Sequence, residues 1–431
     1  MLTTRIAIAA LAAATLSVPA APAAATPDAV ADADGTFKVL SYNIAGLPDI
    51  LSSAETDRAT ATTAIGGRLT GYDVIHVQED FNYHAYLYAA DSHAHRTPTS
   101  GGAGIGSGLN SLSSFPYDTD DFERTRWNSC QYDSGDCLTP KGFTFSRVRL
   151  AEGVYVDFYN LHTNAGTNDG DLAARADNLR QLTAFIGSHS RGNAVVVMGD
   201  TNTRYTRAGD TIADFVAANG LTDAWVQLER GGTAPAKGSD PLLCGADTCE
   251  VVDKILYRSG GFVRLAATSY HNEHESFRTD DGVMLSDHDP ISAGFNWSTD
   301  PAYRFSEQFG GPHGDYFNDL GTLTTPTAIS IRAGARVDRI GDHGGTGGTA
   351  TSLTLGSGEF VTSAYLCRGI YNSHTRIFYA KFTTNLGNTL AGGTTTSDCV
   401  TRTAPAGWQL AGFHGRAGDA VDKIGFIYTR R

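Results

Sequence analysis

Eight polar residues stand where short apolar runs end: Asn43, Glu79, His162, Asp200, Asn202, Asp253, Asp287 and His288. Most of these runs are β-branched, the pattern by which a buried strand delivers a side chain to the rim of a sheet. Asp200-Thr201-Asn202 puts two of the eight at i and i+2, on one side of an extended chain. Ser286-Asp287-His288-Asp289-Pro290 places two more in a compact acidic and histidine cluster. Taken singly, Asp and Asn at strand ends are ordinary turn formers or caps. As a set, the carboxylates and amides form an oxygen-rich group suited to a hard divalent cation such as Mg²⁺ or Mn²⁺. Two histidines beside carboxylates suit proton transfer and stabilisation of charge on a phosphorane-like transition state.

The elements that must position these groups follow from the same runs. Phe37–Asn43, Asp73–Glu79, Val154–His162 and Ala194–Asp200 read as strands. Leu172–Ile186 has helical spacing, with Ala176, Leu179, Leu182 and Phe185/Ile186 on one face. Strands alternating with helices indicate a layered α/β domain. The character changes near Trp297, where Ser298-Thr299-Asp300-Pro301 reads as a linker. From about Glu307 the chain is rich in Gly and Thr, with strand-like runs at Ala328–Ile331, Thr351–Leu355, Arg376–Phe382 and Lys423–Tyr428. That half reads as all-β, and two domains are what 431 residues lead one to expect.

The first residues and the cysteines bear on compartment. Arg5, an apolar run Ile6–Val18 and Ala23-Ala24-Ala25 read as a secretory signal peptide spanning residues 1–25. Pro19 and Pro22 interrupt the run, which falls short of the roughly 20 residues a membrane span needs. A polar tail, Thr26–Gly35, would follow it, and no later segment is apolar enough to span. A secreted, extracellular protein is therefore expected. The six cysteines fall in close pairs, and nearest-neighbour bridges Cys130–Cys137, Cys244–Cys249 and Cys367–Cys399 fit an oxidising location. Residues 307–431 carry 11 basic and 9 acidic side chains, leaving 22 basic and 37 acidic in residues 1–306. So acidic a first half argues against holding a polyanion along a basic track.

The motifs carry a resemblance. Ser41-Tyr42-Asn43-Ile44, Gln78-Glu79, Asn160-Leu161-His162-Thr163, Gly199-Asp200-Thr201-Asn202, Val252-Asp253-Lys254-Ile255 and Ser286-Asp287-His288-Asp289-Pro290 occur in the order seen in the endonuclease/exonuclease/phosphatase superfamily. Over residues 37–297 the resemblance implies an α/β four-layered sandwich. It makes Glu79 the chief metal ligand, with Asn43 close by and Asp287 near the metal or its waters. It makes His288 the general base, oriented by Asp253, and has Asp200 position the nucleophile. Asn202 and His162 would face the phosphate. Lys141-Gly142-Phe143 and the stretch Asn160–Ala165 resemble elements of the secreted sphingomyelinases, which implies a phospholipid headgroup ester as substrate and leaves peripheral membrane contact open. The alternative is a secreted DNase-like endonuclease. Tyr257–Tyr270 reads as a hairpin around Gly260-Gly261 and shows no exposed aromatic pair suited to entering a membrane.

Residues 307–431 resemble jacalin-like lectins. Gly311-Pro312-His313-Gly314-Asp315 is similar to their N-terminal Gly-rich loop, and Gly412–Gly425 to their C-terminal sugar-binding stretch. The resemblance implies an all-β prism of three short sheets. It assigns carbohydrate binding to Gly314, Gly418, Asp419 and Asp422, so that glycans are expected partners.

Overall fold

The computed structural model describes residues 33–101, 105–132 and 136–431. The expected signal peptide lies outside the described residues. Among the described residues, twelve strands and five α-helices make up the first half. The strands are β1 (Asp34–Asn43), β2 (Val74–Gln78), β3 (His95–Arg96), β4 (Asn110–Ser113), β5 (Glu123–Arg126) and β6 (Gly142–Ala151). They continue with β7 (Val154–His162), β8 (Ala194–Asp200), β9 (Thr222–Asp223), β10 (Asp253–Arg258), β11 (Val263–Asn272) and β12 (Ile291–Thr299). The helices are α1 (Arg58–Gly67), α2 (His84–Ala90), α3 (Asp169–His189), α4 (Ile212–Ala218) and α5 (Ala224–Glu229).

These strands form two six-stranded sheets, ordered β11-β12-β1-β2-β4-β3 and β5-β6-β7-β8-β10-β9. Each has a central parallel pair, β1–β2 in one and β7–β8 in the other, flanked by antiparallel neighbours. Alternation along β1 sorts its side chains. Phe37 and Val39 join the core between the sheets, where Phe37 meets Phe158 of β7 at 6.0 Å between ring centroids. Leu40, Tyr42 and Ile44 face the other way and pack with Ala61, Ile65 and Leu87 of α1 and α2. Asn43 shares parity with Phe37 and Val39, so it points between the sheets. On the second sheet, Leu179, Leu182 and Ile186 of α3 are buried, on the face its periodicity predicts.

The second half contains three sheets. One comprises Tyr303–Phe305, Val421–Arg430, Trp408–Ala417 and Asp315–Asn318, with Phe309–Gly310 pairing on Val421–Arg430. The other two have four strands each, and the three sheets together enclose a core around Ile331, Leu366, Ile377, Phe382 and Phe426. The three disulfides pair as nearest neighbours. No helix among the described residues is long and apolar enough to cross a membrane.

Two expectations are corrected. Asp34 and Gly35 belong not to a polar tail but to β1, where they pair with Ser298 and Trp297 of β12. Ser298–Pro301 is not a free linker. Ser298 and Thr299 complete β12, Asp300 N–H donates to Phe262 O, and Asp300 pairs with Arg264 at 3.1 Å. The turn docks the two halves against each other. Phe262 stacks on Phe305 with centroids 4.3 Å apart, and Asn318 Nδ2 donates to Asn193 at 3.1 Å. Glu307 accepts hydrogen bonds from Arg149 Nε (2.7 Å), Gly153 N–H (2.8 Å) and the Tyr155 hydroxyl. Asp121 is buried and pairs with Arg416 (3.0 Å) and Lys423 (3.2 Å). Burial pushes its carboxyl up, but Lys423, Arg147 and Arg416 outweigh that and hold it below the usual range.

Candidate active site

Strand register assembles the cluster. His162 and Asp200 are direct partners across the parallel β7–β8 pair, and Asp253 opposes Asp200 across β8–β10. From the other sheet, Asn43 ends β1 beside Gln78, and Glu79 follows immediately. Asn160 fixes this junction from the second sheet: its Oδ1 accepts from Gln78 Nε2 at 2.8 Å, and its Nδ2 donates to Val77 O and Asn110 O. Ser286 Oγ donates to Asn43 O at 2.6 Å and so tethers the segment that carries His288.

Asp200 Oδ2 is the centre of the site. Asn43 Nδ2 lies 3.1 Å from it, His162 Nε2 3.2 Å and His288 Nε2 3.8 Å. Asn43 Nδ2 also donates to Glu79 Oε1 at 3.0 Å, so one amide spans two carboxylates from different sheets. Its Oδ1 is taken by Ala45 N–H at 3.0 Å. Asn43 therefore acts here as a donor that holds the carboxylates. His288 Nδ1 pairs with Asp253 Oδ2 at 2.9 Å, leaving Nε2 turned into the cluster.

Electrostatics separates the two histidines. Burial and the nearby Lys141 push His162 down to about 3, so its 3.2 Å contact with Asp200 is that of a neutral ring rather than an ion pair. Burial also disfavours charge on His288, but Asp253 and Asp200 outweigh it and raise His288 well above its ordinary value. Burial raises Asp200 too, yet His162, His288 and Lys141 bring it down to about 2. Burial lifts both Glu79 and Asp253 above the usual carboxylate range.

The backbone is strained where function would need it. Glu79 has φ +57° and Asn202 φ +49°, a region that non-glycine residues seldom occupy and that costs about 1–3 kcal/mol. A Cβ on Gly46 would meet Glu79 O at 2.2 Å, and one on Gly108 would lie 2.9 Å from Glu79 Cα. Two glycines thus let neighbouring backbone close on the strained residue. Asn202 takes its own hold through its N–H on Asp200 Oδ1 (2.9 Å) and its Nδ2 on Thr163 O (3.3 Å).

These residues fit a hard cation. Glu79 Oε2 takes no hydrogen bond among the described residues, and buried Asp253 Oδ1 and His162 Nδ1 lack partners. Asp200, Asp253 and His288 also present ligand atoms within 4.8 Å of one another. His288 Nδ1 is already committed to Asp253, so Glu79 and Asp200 are the better-placed oxygen donors. Asp287 stands apart: it is exposed, and its one hydrogen bond among the described residues comes from Ser286 Oγ at 3.5 Å. Lys141 belongs to the site although its motif suggested only kinship. Its charge acts on Glu79, His162 and Asp200, and Asp136 holds its ammonium. The signal available was register, since Phe143 pairs with Leu161 and so brings Lys141 near His162.

In the second half, Gly314 (φ +76°) abuts Asp422: a Cβ there would lie 2.6 Å from Asp422 Oδ2. Gly418 lies against Gly314, and Asp419 is exposed. Asp422 itself is 1 % exposed, with Arg376 Nη1 3.0 Å from Oδ1 and no hydrogen bond of ordinary geometry to either oxygen.

Residues 58–240 match endonuclease/exonuclease/phosphatase family 2, and residues 306–427 match the jacalin-like lectin domain. Sphingomyelinases of Mycobacterium bovis and Mycobacterium tuberculosis are 44 % identical over 273 residues, covering 62 % of this chain and 54 % of theirs. The chain thus spans about half the length of these curated relatives. Sphingomyelinase C from Streptomyces griseocarneus aligns over 60 % of this chain and 99 % of its own, with 20 % identity and a TM-score of 0.42. A mannose-binding jacalin-related lectin from Ananas comosus aligns over 30 % of this chain and 99 % of its own, with 21 % identity and a TM-score of 0.29. The chain joins a domain of the endonuclease/exonuclease/phosphatase family, akin to sphingomyelinases, to a jacalin-like lectin domain.

Proposed function

We propose that this chain is a secreted, divalent-metal-dependent phosphodiesterase that hydrolyses a phospholipid headgroup ester, as the name of its mycobacterial relatives suggests. The observation that carries the reading is the cluster on Asp200 Oδ2, where two imidazoles and an amide from separate segments of the chain converge beside Glu79. Asp253 fixes the His288 ring through Nδ1, so the free Nε2 can take a proton from water attacking phosphorus. Neutral His162, Asn202 and Lys141 are the groups placed to stabilise charge on the phosphoryl oxygens. Glu79 and Asp200 would hold a Mg²⁺-like ion, with Asn43 steadying both carboxylates. Such an ion supplies positive charge to the phosphoryl group and offsets the carboxylate pull that keeps His288 protonated.

The same reading takes the two packed sheets and their outer helices as four layers, residues 37–297 as the catalytic unit, and the three later sheets as a prism over 307–431. The distinct core on the outer face of the first sheet and the distinct core within the three later sheets support it. Glycan binding would use Gly314, Gly418, Asp419 and Asp422. The test offers purified protein with Mg²⁺ sphingomyelin, phosphatidylcholine and double-stranded DNA side by side. Phosphocholine release from a lipid, abolished by chelation and restored by Mg²⁺, is expected. Rapid DNA cleavage without lipid turnover would make it a nuclease.

A further inference from the structure

The two-sheet body has two ends, and its exposed apolar side chains are all at one of them. Single exposed apolar residues are ordinary on a protein surface, so placement is the informative observation here. Among the described residues of 34–299, seven large apolar side chains are exposed. Ile50 (92 %) and Leu51 (63 %) sit on the connection leaving β1 just after Asn43. Tyr86 lies in the first turn of α2, a few residues after Glu79. Ile105 precedes β4, whose Asn110 pairs with Val77 at the end of β2. Tyr132 and Leu138 lie between β5 and β6, where Arg126 pairs with Gly142 and Phe143 with Leu161, next to His162. Leu243 precedes β10, whose first residue opposes Asp200.

Every one of these connections therefore opens at the end of the sheets that carries the catalytic cluster. The other end is covered by the lectin domain. There Gly153 meets Glu307, Asn193 meets Asn318, and Asp118 and Asp121 meet Lys423. The β10–β11 hairpin turns at that covered end too, and its Phe262 is buried against Phe305. That hairpin, which shows no aromatic pair suited to entering a membrane, is thus taken up by the contact with the other half.

We propose that the site end of this domain is a membrane-contact surface, on which Ile50, Leu51, Tyr132, Leu138 and Leu243 enter the headgroup–acyl boundary of a zwitterionic bilayer. The proposal rests on the phospholipid reading above and names how that substrate is reached. Burial of a few aliphatic and aromatic side chains at the interface is enough for reversible adsorption. Charge selects the kind of bilayer. The connection from Ile44 to Asp57 carries three acidic residues and no basic one, and Lys237–Val252 carries three acidic against one basic. An anionic surface is repelled by such a rim, whereas a choline headgroup brings its own positive charge towards it.

The test is co-sedimentation of the full chain, under chelation to prevent turnover, with vesicles of phosphatidylcholine and sphingomyelin and with vesicles enriched in phosphatidylserine. Hydrolysis of a water-soluble phosphocholine ester with Mg²⁺ is followed in parallel. Ile50→Ser/Leu51→Ser should weaken binding to neutral vesicles by roughly tenfold or more. Turnover of the soluble ester should stay within about twofold of wild type, as for surface changes away from structural features. Tyr132→Ser and Leu243→Ser should each weaken vesicle binding less. Leu386→Ser, an equally exposed change in the lectin domain, should leave it unaltered. Unchanged vesicle affinity in the combined variant, absent binding by wild type, or a preference for phosphatidylserine would overturn the proposal. Vesicle binding with no hydrolysis of the soluble ester would instead sink the phosphodiesterase reading and leave the contact surface standing.

Discussion

Asp200 and Asp422 mark the two halves of the molecule, and their surroundings differ in kind. Asp200 is ringed by an amide and two imidazoles, beside backbone driven into the left-handed region at Glu79 and Asn202. Polar atoms around it, Asp253 Oδ1 and His162 Nδ1, lack partners. Asp422 lies at a bulge in its strand, covered, with Arg376 balancing its charge but neither oxygen in a hydrogen bond of ordinary geometry. An arrangement that leaves polar groups unpaired gains from a ligand that completes them. The oxygens of Asp422 also lack hydrogen bonds, but the guanidinium beside them balances the charge, so a sugar reaching Asp422 must compete with it or move it.

The comparison can be broken first at its catalytic side. His288→Ala should lower kcat by about 10²–10⁴-fold while circular dichroism stays unchanged, since the ring is held by Asp253 and a long contact to Asn43 and its loss leaves the strands intact. Asp253→Asn should cost less. A folded His288→Ala protein with wild-type turnover would remove the base from the scheme.

On the other side, Arg376→Ala should destabilise the lectin half by up to about 3 kcal/mol, because it leaves a covered carboxylate without a counter-charge. Thermal unfolding reads this, and Arg376→Ala/Asp422→Ala should recover much of the loss. Asp422→Ala alone should erase any binding on a glycan array. If Arg376→Ala were silent, Asp422 would be more open than its surroundings indicate.

A finer contrast concerns the cation. Glu79→Gln should raise the Mg²⁺ needed for half-maximal activity by roughly tenfold or more, because a neutral amide attracts a hard cation less than a carboxylate does. Asp287→Asn should raise it less, given its exposed position. Equal effects would place Asp287 among the ligands.

The smallest effect involves pH and the seam between the halves. His414 Nε2 donates to Ser306 O and its Nδ1 accepts from Gln308, which fixes a neutral ring, and burial pushes it from 6.5 down to about 4. Between those values the unfolded chain binds more protons than the folded one. The stability is therefore present above pH 6.5 and is lost as pH falls towards about 4. His414→Gln should flatten this part of a Tm-against-pH curve, and an unchanged curve would show that other groups dominate it.

Local features were legible in the sequence. Val154–His162 and Ala194–Asp200 form strands with the expected bounds, and seven of the eight singled-out polar residues converge. Polar residues that end apolar runs are a local signal, and their convergence follows once the strands pair. Asp287 could not be separated from His288 because adjacent residues share a motif while pointing in different directions. Lys141 was obscured because its role depends on cross-strand register. The seam was illegible for the same reason: Asp121 and Arg416 are 295 residues apart, and nothing in either neighbourhood announces the other. Ser298–Pro301 has the composition of a linker, but pairing with Ala33 and Phe262 makes it part of the body.

That seam gives the molecule a direction. The lectin domain is fastened to the end of the sheets opposite the site by charged pairs, an aromatic stack and a short strand-borne turn, with little slack. With the site end lowered onto a lipid surface, the lectin domain stands away from it like the far side of a pier. Glycans that engage it would have to rise well above that surface or belong to a second one facing it. Attachment and hydrolysis would then be separated by the thickness of a domain, and the chain would act as a rigid spacer across a gap rather than as a leash along one plane.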